Sequence, residues 1–595
     1  MKPTRISILK KGTAINQSIQ DIIDSAKKHG IAVDFVKISG SMPNIDEIIS
    51  TMGEIVLRRS IPDSTREQKI EIIKKIRESG RVVLNGLTPH TINIPNKAYQ
   101  QKIAREQLNI TKIPTFEASD RTALLHLIAI GSLQYPFIAK KKVSGEGRGV
   151  HKIDQESDIE RIEDISDSIF QNFIPNTGEY RVYVVGGRAV AFFKKTAGPD
   201  TFKNNISQGG TSAIIKNRGT RKELARLAEK ISNVFDISIS GIDFLEANDG
   251  TLYFMEINTV PNWNQQFLFQ LPLRTVGMHI VELGIALHAR IAGPQTVQHI
   301  FKCIREYYDT NIRYLYNKKF HYLSRMYLWT KEARYKKGLM KERERYVHKH
   351  IERNRIPDLS TRTRVTEKQQ LRDQHIRKYD ILFYNGLLFK NLFSKTIYDT
   401  DISKEIFTQV PEEEFLNIYQ QLIKDTPALI TLSTHAINFI YNLKFLLAQR
   451  NRELPNFNPQ NLLTIACDDT NYNANPVTRL NLKMYFLTHM IIGASKFYTE
   501  KIDDPFYTRV VTEAEKILRE NYTDFTLDHK AEFLVCTVLC NYKSSLAEQI
   551  LQECAHTVKD TANIIVDSKP STPQCFSNSE HRNVLAIMAH IGYQQ

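Results

Sequence analysis

The sequence predicts an α/β N-terminal half followed by an all-α C-terminal half, and three observations carry that prediction. Residues 1–85 alternate short β-rich runs with amphipathic helical stretches. The chain then turns to strands and glycine-rich loops up to about Asn262, and beyond Val276 it is helical in pattern to its end. Strand–helix–strand repetition implies a parallel sheet. At roughly 100–200 residues per domain, 595 residues predict about three to five folding units.

The first strands are expected at Ile6–Leu9, Ile31–Ile38, Glu54–Leu57 and Arg81–Leu84, with helices around Ile19–Ala26 and Ile70–Ile76 between them. Gly30 and Gly80 stand where a helix needs a left-handed stop. A helix is expected from about Asn96 to Leu108, and another near Val276–Ile291. The domains expected are 1–95, a parallel α/β domain; 96–292, a two-part α+β domain; 293–380, a basic, tyrosine-rich helical segment with a break at 356–366; and 381–595, an all-helical domain. That last part repeats weakly: Thr434-His435, Thr488-His489 and Glu580-His581 each open an apolar helix, as in a helical-repeat solenoid or toroid. The three histidines are read as half-buried helix-start residues rather than metal ligands, because no carboxylate or thiol recurs beside them.

The net charge of +15 is local: residues 302–378 hold 22 Lys+Arg against 9 Asp+Glu, so the remainder is nearly neutral. The stretch interleaves cations with Tyr307, Tyr308, Tyr314, Tyr316, Tyr322, Tyr327 and Trp329, a pattern able to stack bases. Near-helical tyrosine spacing makes a charged helical connector the plainest reading; docking of an acidic protein or peptide comes next, ahead of nucleic acid. The N-terminus lacks a signal-peptide core, and no apolar run approaches the ~20 residues that span a bilayer, so the expectation is a cytoplasmic protein without a membrane partner. All six cysteines lie beyond residue 300 without a CxxC, which excludes a zinc ribbon or disulfide scaffold; Cys536 and Cys540 read as core.

The chemistry concentrates in residues 241–258. Asp249-Gly250 between apolar runs signals a two-residue hairpin, in which facing residues sum to a constant, so Asp243 should oppose Glu256, with Asn258 on the same face opposite Gly241. Opposed carboxylates destabilise a sheet unless a cation lies between them, and three oxygen-bearing side chains on one face suit magnesium better than an exposed polar hairpin. A second cluster is the strand Pro136–Lys140, followed by the loop containing Gly145, Gly147 and Gly149, where lysine and backbone N–H groups can meet phosphate. A third is the strand Ile169–Ile174, followed by Glu179-Tyr180-Arg181.

In this order the clusters resemble the ATP-grasp superfamily, and within it the RimK-like and glutathione-synthetase-like ligases, over about residues 1–290. The resemblance implies a pre-ATP-grasp domain followed by a two-subdomain ATP-grasp fold. It matches Lys97 and Lys140 to the two nucleotide lysines, Gly145, Gly147 and Gly149 to the phosphate-covering loop, and Gln171, Asn172, Phe173 and Ile174 to the adenine hinge. Glu179 stands where an acid takes the ribose, and Asp243, Glu256 and Asn258 match the metal ligands. Phe202-Lys203-Asn204-Asn205 with Gly209-Gly210 is similar to a family element whose asparagine, here Asn205, lies near the phosphates; Arg58 and Arg59 resemble the arginine that faces the carboxylate substrate. The sequence departs from the family at Lys195 and Lys203, where arginine is usual, and at Asn262-Trp263, which replaces a glycine-containing turn. Lysine keeps the charge and loses the bidentate fork.

The implied activity is ADP-forming carboxylate–amine ligation through an acyl-phosphate. ATP and Mg2+, or Mn2+ in its place, would be the cofactors, with a carboxylate and an amine-bearing amino acid or peptide as substrates. Lys195, Arg181 and Lys203 are the candidate catalytic cations. The competing reading is an ATP-regulated scaffold that binds nucleic acid or protein through the basic segment.

Overall fold

The computed structural model describes residues 2–40, 44–144, 149–198, 210–263, 274–347, 366–567 and 574–594. The chain divides into two compact units: Met1–Tyr316 with Val558–Ile564 and Pro570–Asn578, and Asn317–Thr557 with Ile565–Lys569 and Ser579–Gln595.

The first unit opens with the expected parallel sheet. Strands β1 (Arg5–Leu9), β2 (Ala32–Val36), β3 (Ile55–Arg58) and β4 (Val82–Leu84) lie in the order β2-β1-β3-β4, every pair parallel. Helices α1 (Gln17–Lys28), α2 (Ile45–Thr51) and α3 (Arg66–Glu78) connect them. Asn16 caps α1, and Thr65 with Gln68 forms a reciprocal capping box on α3. Gly30 and Gly80 take φ of 66° and 80°, the left-handed stops the sequence called for. The short α2 was not anticipated: seven residues carry too little periodicity to stand out.

After α4 (Lys97–Gln107) come two antiparallel sheets. The smaller has β5 (Thr115–Phe116), β6 (Phe137–Lys141), β7 (Val150–Ile153) and β8 (Ser168–Asn172) in the order β5-β8-β6-β7, packed on α5 (Arg121–Ala129) through Leu124, Phe137, Ile153 and Phe170. The larger runs β11-β10-β9-β12-β13, from β9 (Asn176–Val185), β10 (Arg188–Thr196), β11 (Thr211–Ile214), β12 (Ile239–Ala247) and β13 (Leu252–Asn258). Helix α6 (Arg218–Val234) covers one face of it, burying Leu224, Ala228 and Ile231 against Val182, Phe192 and Phe244. Helix α7 spans Val276–Ile291, as expected.

Helix α8 (Val297–Asn311) also belongs to this unit, so the boundary expected at 292/293 falls inside it. The reason is Arg188, only 1% exposed, whose guanidinium bonds the Tyr307 hydroxyl (3.2 Å) and Asn311 and lies 5.1 Å from the Tyr307 ring.

The second unit is all-helical: α9 (Lys319–Thr330), α10 (Ala333–Met340), α11 (Arg343–Val347), α12 (Glu367–Tyr379), α13 (Ile381–Tyr398), α14 (Ser403–Gln409), α15 (Glu412–Leu422), α16 (Thr426–Leu432), α17 (Thr434–Ala448), α18 (Pro459–Cys467), α19 (Pro476–Ala494), α20 (Pro505–Glu520), α21 (Leu527–Leu539), α22 (Ala547–His556) and α23 (Glu580–Gln594). Helices α13, α17, α19, α21, α23 and α9 are successive neighbours, and α10 bridges α9 back to α13, which closes a ring. Helices α18, α20 and α22 return the chain between ring members. Helices α12 and α16 run into α13 and α17 across kinks at Asp380 (φ 45°) and Ser433 (φ 30°).

One reading of the helical half changes. His489 opens no helix: α19 starts at Pro476, capped by Asn475, and Thr488-His489 lie well inside it. Tyr307, Tyr308, Tyr314 and Tyr322 are buried, so these rings of the basic stretch are core and do not stand free to stack on bases. The break expected at 356–366 falls almost wholly outside the described residues. Cys536 and Cys540 are buried as expected. No described helix is long and apolar enough to cross a membrane.

Candidate functional site

Strands β12 and β13 pair Asp243 with Glu256 and Gly241 with Asn258, the register read from the sequence. The turn is not the two-residue hairpin expected. Ala247 donates its N–H to Thr251 O (2.9 Å), closing a three-residue loop with Gly250 at φ 83°. Near the loop, facing residues sum one lower, as Phe244 with Phe254 does; a β-bulge at Met255 then restores the offset before Glu256. Phe254 and Ile257 consequently both enter the core although they are three residues apart. Asn258 Nδ2 lies 3.0 Å from Glu256 Oε1 and 3.3 Å from Asp243 Oδ2, so the three side chains converge. A half-turn of that amide presents Oδ1 to the same point. Two carboxylates and one amide oxygen are the donor chemistry of a hard divalent cation. Among the described residues no group of three or more His, Cys, Asp or Glu side chains forms a metal cluster, so the amide has to complete this set.

The neighbouring strands supply cations in register. Arg181 faces Asp243 from β9, and its Nε and Nη2 grip both carboxylate oxygens. Lys195, opposite Glu179 on β10, ion-pairs with Glu179 and lies 3.3 Å from Asp243. Gly241 makes room for this: a Cβ there would stand 3.0 Å from the Pro261 ring and 3.3 Å from Arg181 Cδ. Burial alone would raise the Asp243 pKa, but Arg181 and Lys195 outweigh it and hold the carboxyl well below the usual range. Glu179, only 6% exposed, is paired with Lys195 inside the site, and burial pushes its pKa up against the pull of that lysine. Lys195 keeps its proton because Asp243 and Glu179 overcome both its burial and the nearby Arg181.

Helix α4 is riveted to β13. That strand is the sheet edge, whose outward backbone groups need partners. Gln100 Nε2 donates to Ile257 O (3.0 Å) and its Oε1 accepts the Ile257 N–H (2.9 Å), while Gln101 Nε2 donates to Met255 O (2.8 Å), fixing the bulge. Lys97, Gln100 and Gln101 occupy i, i+3 and i+4 of α4 and share a face, so the rivets also orient the lysine. Sequence reasoning missed both glutamines; the polar stripe was the available signal. Lys97 Nζ donates to Ser144 O (2.8 Å) and Oγ (3.1 Å). Burial lowers the pKa of Lys97 and of Lys140 on β6, and Glu256 partly offsets the loss in each.

The remaining candidates separate. In the hinge, Gln171 Nε2 bonds Thr115 Oγ1 (2.7 Å) while its buried Oε1 has no hydrogen-bond partner. Asn172 Oδ1 accepts the Gln134 N–H (2.9 Å), the Phe173 N–H goes to Pro136 O (3.1 Å), and Ile174 O accepts from Asn176 Nδ2 (3.0 Å). Gly149 has φ 67° at the end of the loop between β6 and β7. Gly145, Gly147, Lys203 and Asn205 lie outside the described residues. Arg58 turns to Asn85 O, whereas Arg59 reaches the segment after β13, donating to Pro261 O (3.1 Å) and Asn262 Oδ1. Burial lowers both arginines to about 10, Arg59 adding to the effect on Arg58.

Asn262-Trp263, the departure from the family turn, is an anchor. Asn262 Oδ1 also accepts from Asn16 Nδ2 and Ser18 Oγ (both 3.2 Å), and Trp263 Nε1 donates to Asp21 Oδ2 (2.9 Å). The end of the metal-candidate strand is thereby tied to α1. Asn85 makes a second tie, with Oδ1 accepting the Ile239 N–H (2.7 Å) and Nδ2 donating to Ile239 O (2.8 Å).

Residues 97–267 match the family model of the RimK-like ATP-grasp domain. The chain is 29% identical over 133 residues to a probable alpha-L-glutamate ligase 2 of Hahella chejuensis, covering 21% of this chain and 42% of the relative. It is 23% identical over 273 residues to a probable alpha-L-glutamate ligase of Parasynechococcus marenigrum, covering 43% and 57%. The chain thus spans about half the length of these relatives. Among solved structures it is similar to the ATP-grasp ligase PsnB complexed with minimal precursor (16% identity, TM-score 0.38, 48% of this chain and 99% of that one). It is also similar to D-alanine--D-alanine ligase of Bacillus anthracis complexed with ATP (15% identity, TM-score 0.37, 48% and 96%). Over residues 97–267, this chain carries a RimK-like ATP-grasp domain.

Proposed function

We propose that the first unit is an ATP-dependent, ADP-forming carboxylate–amine ligase. The observation that supports this most is the convergence of Asp243, Glu256 and Asn258 on one strand face, with the Lys97 and Lys140 ammoniums both within electrostatic reach of Glu256. Asp243, Glu256 and Asn258 would hold Mg2+, or Mn2+ in its place, which when bound supplies charge neutralisation at the β- and γ-phosphates. Lys97 and Lys140 would hold the triphosphate, their partial burial keeping water from screening the contact. Gln171 to Ile174 would line the adenine site, where the unpartnered Gln171 Oε1 is an acceptor for an exocyclic amine.

Of the two arginines, Arg59 is the better carboxylate-positioning residue, since it already stands beside the end of β13 while Arg58 is committed to Asn85. The carboxylate oxygen attacks the γ-phosphorus and ADP leaves; the amine nitrogen then attacks the acyl carbon, phosphate departs, and the amine proton is lost to solvent or product phosphate. Arg181 and Lys195, held against Asp243, keep positive charge next to the reacting oxygens. Glutamate is the first substrate to try, on the strength of the relatives' names. With Tyr307, Tyr308, Tyr314 and Tyr322 in the core, the basic stretch offers a partner mainly charge, which suits an acidic protein or peptide better than bases that need stacking. ATP-dependent hydroxamate formation with hydroxylamine and candidate acids tests the reading; turnover that survives Glu256→Ala would remove the metal assignment.

A further inference from the structure

The second unit contains a polar cluster that the ligase reading leaves unused. It gathers where α12 and α16 meet α19, with α17 and α21 packed on that same helix. Part of it is satisfied within the protein: His489 Nδ1 bonds Asn438 Oδ1 (2.7 Å), His321 Nδ1 bonds Glu580 Oε1 (2.7 Å), and Asp528 is taken by Arg582 (2.6 Å) and His581 (3.3 Å). Those contacts are what a polar core requires.

The rest is not satisfied. Lys368 Nζ lies 3.9 Å from the Tyr485 ring centroid, and Arg372 stands one turn further along α12. Among the described residues neither makes an ion pair with a carboxylate, and the buried Arg372 Nε and Arg325 Nε have no hydrogen-bond partner. His529, 5% exposed, has an unpartnered Nε2, and its ring lies 4.6 Å from that of Tyr485. The carboxylate that acts on Lys368 from within the protein is Glu532, which is itself engaged: it accepts from Thr488 Oγ1 (2.6 Å) and lies 3.7 Å from His489 Nε2. Taking cations out of water without a paired anion is costly, so a purely structural role would favour apolar residues at these positions.

We propose that this cluster is a second ligand site, binding the oxyanion of a phosphate- or carboxylate-bearing small molecule between Lys368, Arg372 and the Nε2 edge of His529. Arg325, on α9 and over the Tyr498 ring, adds positive potential at His489, and Tyr485 provides a flat wall. Burial lowers Lys368 to about 7, with Arg372 adding to the effect, and an anion would restore its charge. Burial brings His435, His489 and His529 to about 3, which leaves their rings neutral; His489 spends its one N–H on Asn438, whereas His529 Nδ1 can accept from Thr526 Oγ1 (2.8 Å) and leave the N–H on Nε2.

The test is calorimetric titration of the full-length protein, with the nucleotide site first saturated by ADP and Mg2+, using sodium phosphate in one arm and sodium succinate in the other. One of the two anions should bind at one site per chain, and which one does so fixes the source. Lys368→Met and Arg372→Met should each weaken that binding about tenfold or more and leave ATP turnover unchanged. Where a variant fails to fold, hydrogen exchange on the wild type decides: the anion should protect 367–379 and the residues around Tyr485. Absence of binding by both anions at millimolar concentration, unchanged binding in both variants, or protection confined to residues 97–258 overturns the proposal.

Discussion

Asp243 in the first unit and Lys368 in the second are both ionisable groups taken largely out of water, and their surroundings treat them oppositely. Asp243 meets Arg181 and Lys195 from adjacent strands, so its charge is compensated before any ligand arrives. Lys368 meets an aromatic ring and another cation, and the pull of Glu532 does not make up for its burial. Strand register produces the first arrangement: residues opposite one another in neighbouring strands share a face, so charge partners can be written into consecutive strands. The second is produced where side chains from several helices converge, and no register assigns partners there. Compensated charge preorganises a site; uncompensated charge on a folded scaffold points to a ligand that supplies the missing sign.

Four experiments bear on that contrast, in order of expected effect. Glu256→Ala should lower kcat for ATP-dependent hydroxamate formation by about 10^2–10^3-fold, the scale for loss of one preorganised electrostatic group; a smaller drop would mean that Glu256 is not part of the reacting constellation. Lys195→Met should cost about 3 kcal/mol in urea unfolding of the first unit, because Glu179 and Asp243 lose a shared buried cation, and Lys195→Arg should recover most of it. Gln101→Ala leaves Met255 O without its donor, so a loss of about 1–3 kcal/mol is expected, with a raised KM for ATP as the bulge loosens. The last concerns pH. Lys368 is lowered to about 7 in the fold against roughly 10.4 when unfolded. The unfolded chain therefore binds more protons between those values, and the wild type should gain stability from this group as pH rises from about 7 to about 10. Lys368→Met should flatten that gain. Asp243 behaves in the opposite sense: its contribution is present above the ordinary carboxyl range and is lost as pH falls below it.

Much of the first unit was legible in the sequence because its signals are local. The alternation of strand and helix gave the parallel sheet, glycines marked the helix stops, and period-two alternation put Asp243, Glu256 and Asn258 on one face. What escaped was tertiary. The Gln100 and Gln101 bonds to an edge strand, the Trp263 bond to Asp21, and the Asn85 tie to β12 connect residues about 150 to 240 positions apart, and no local pattern announces them. In the second unit, periodicity identifies helices, but closure into a ring depends on contacts between helix faces that are each apolar in a similar way. His489 was misplaced for the same reason: an apolar run beginning after it looked like a helix start, while the true start lay a dozen residues earlier, at a capped proline.

The bulge at Met255 bears on how such chains vary in length. Because it absorbs the one-residue offset left by the three-residue loop, the hairpin holds a slack residue on the path to its own ligand pair. Deleting Met255 should leave Glu256 opposite Asp243, whereas removing a residue on the far side, between Glu256 and Asn258, should turn one ligand into the core. Related hairpins can thus differ by one residue on the loop side of Glu256 with Asp243 and Glu256 still opposed, and an alignment that places its gap at this point keeps that pair in register.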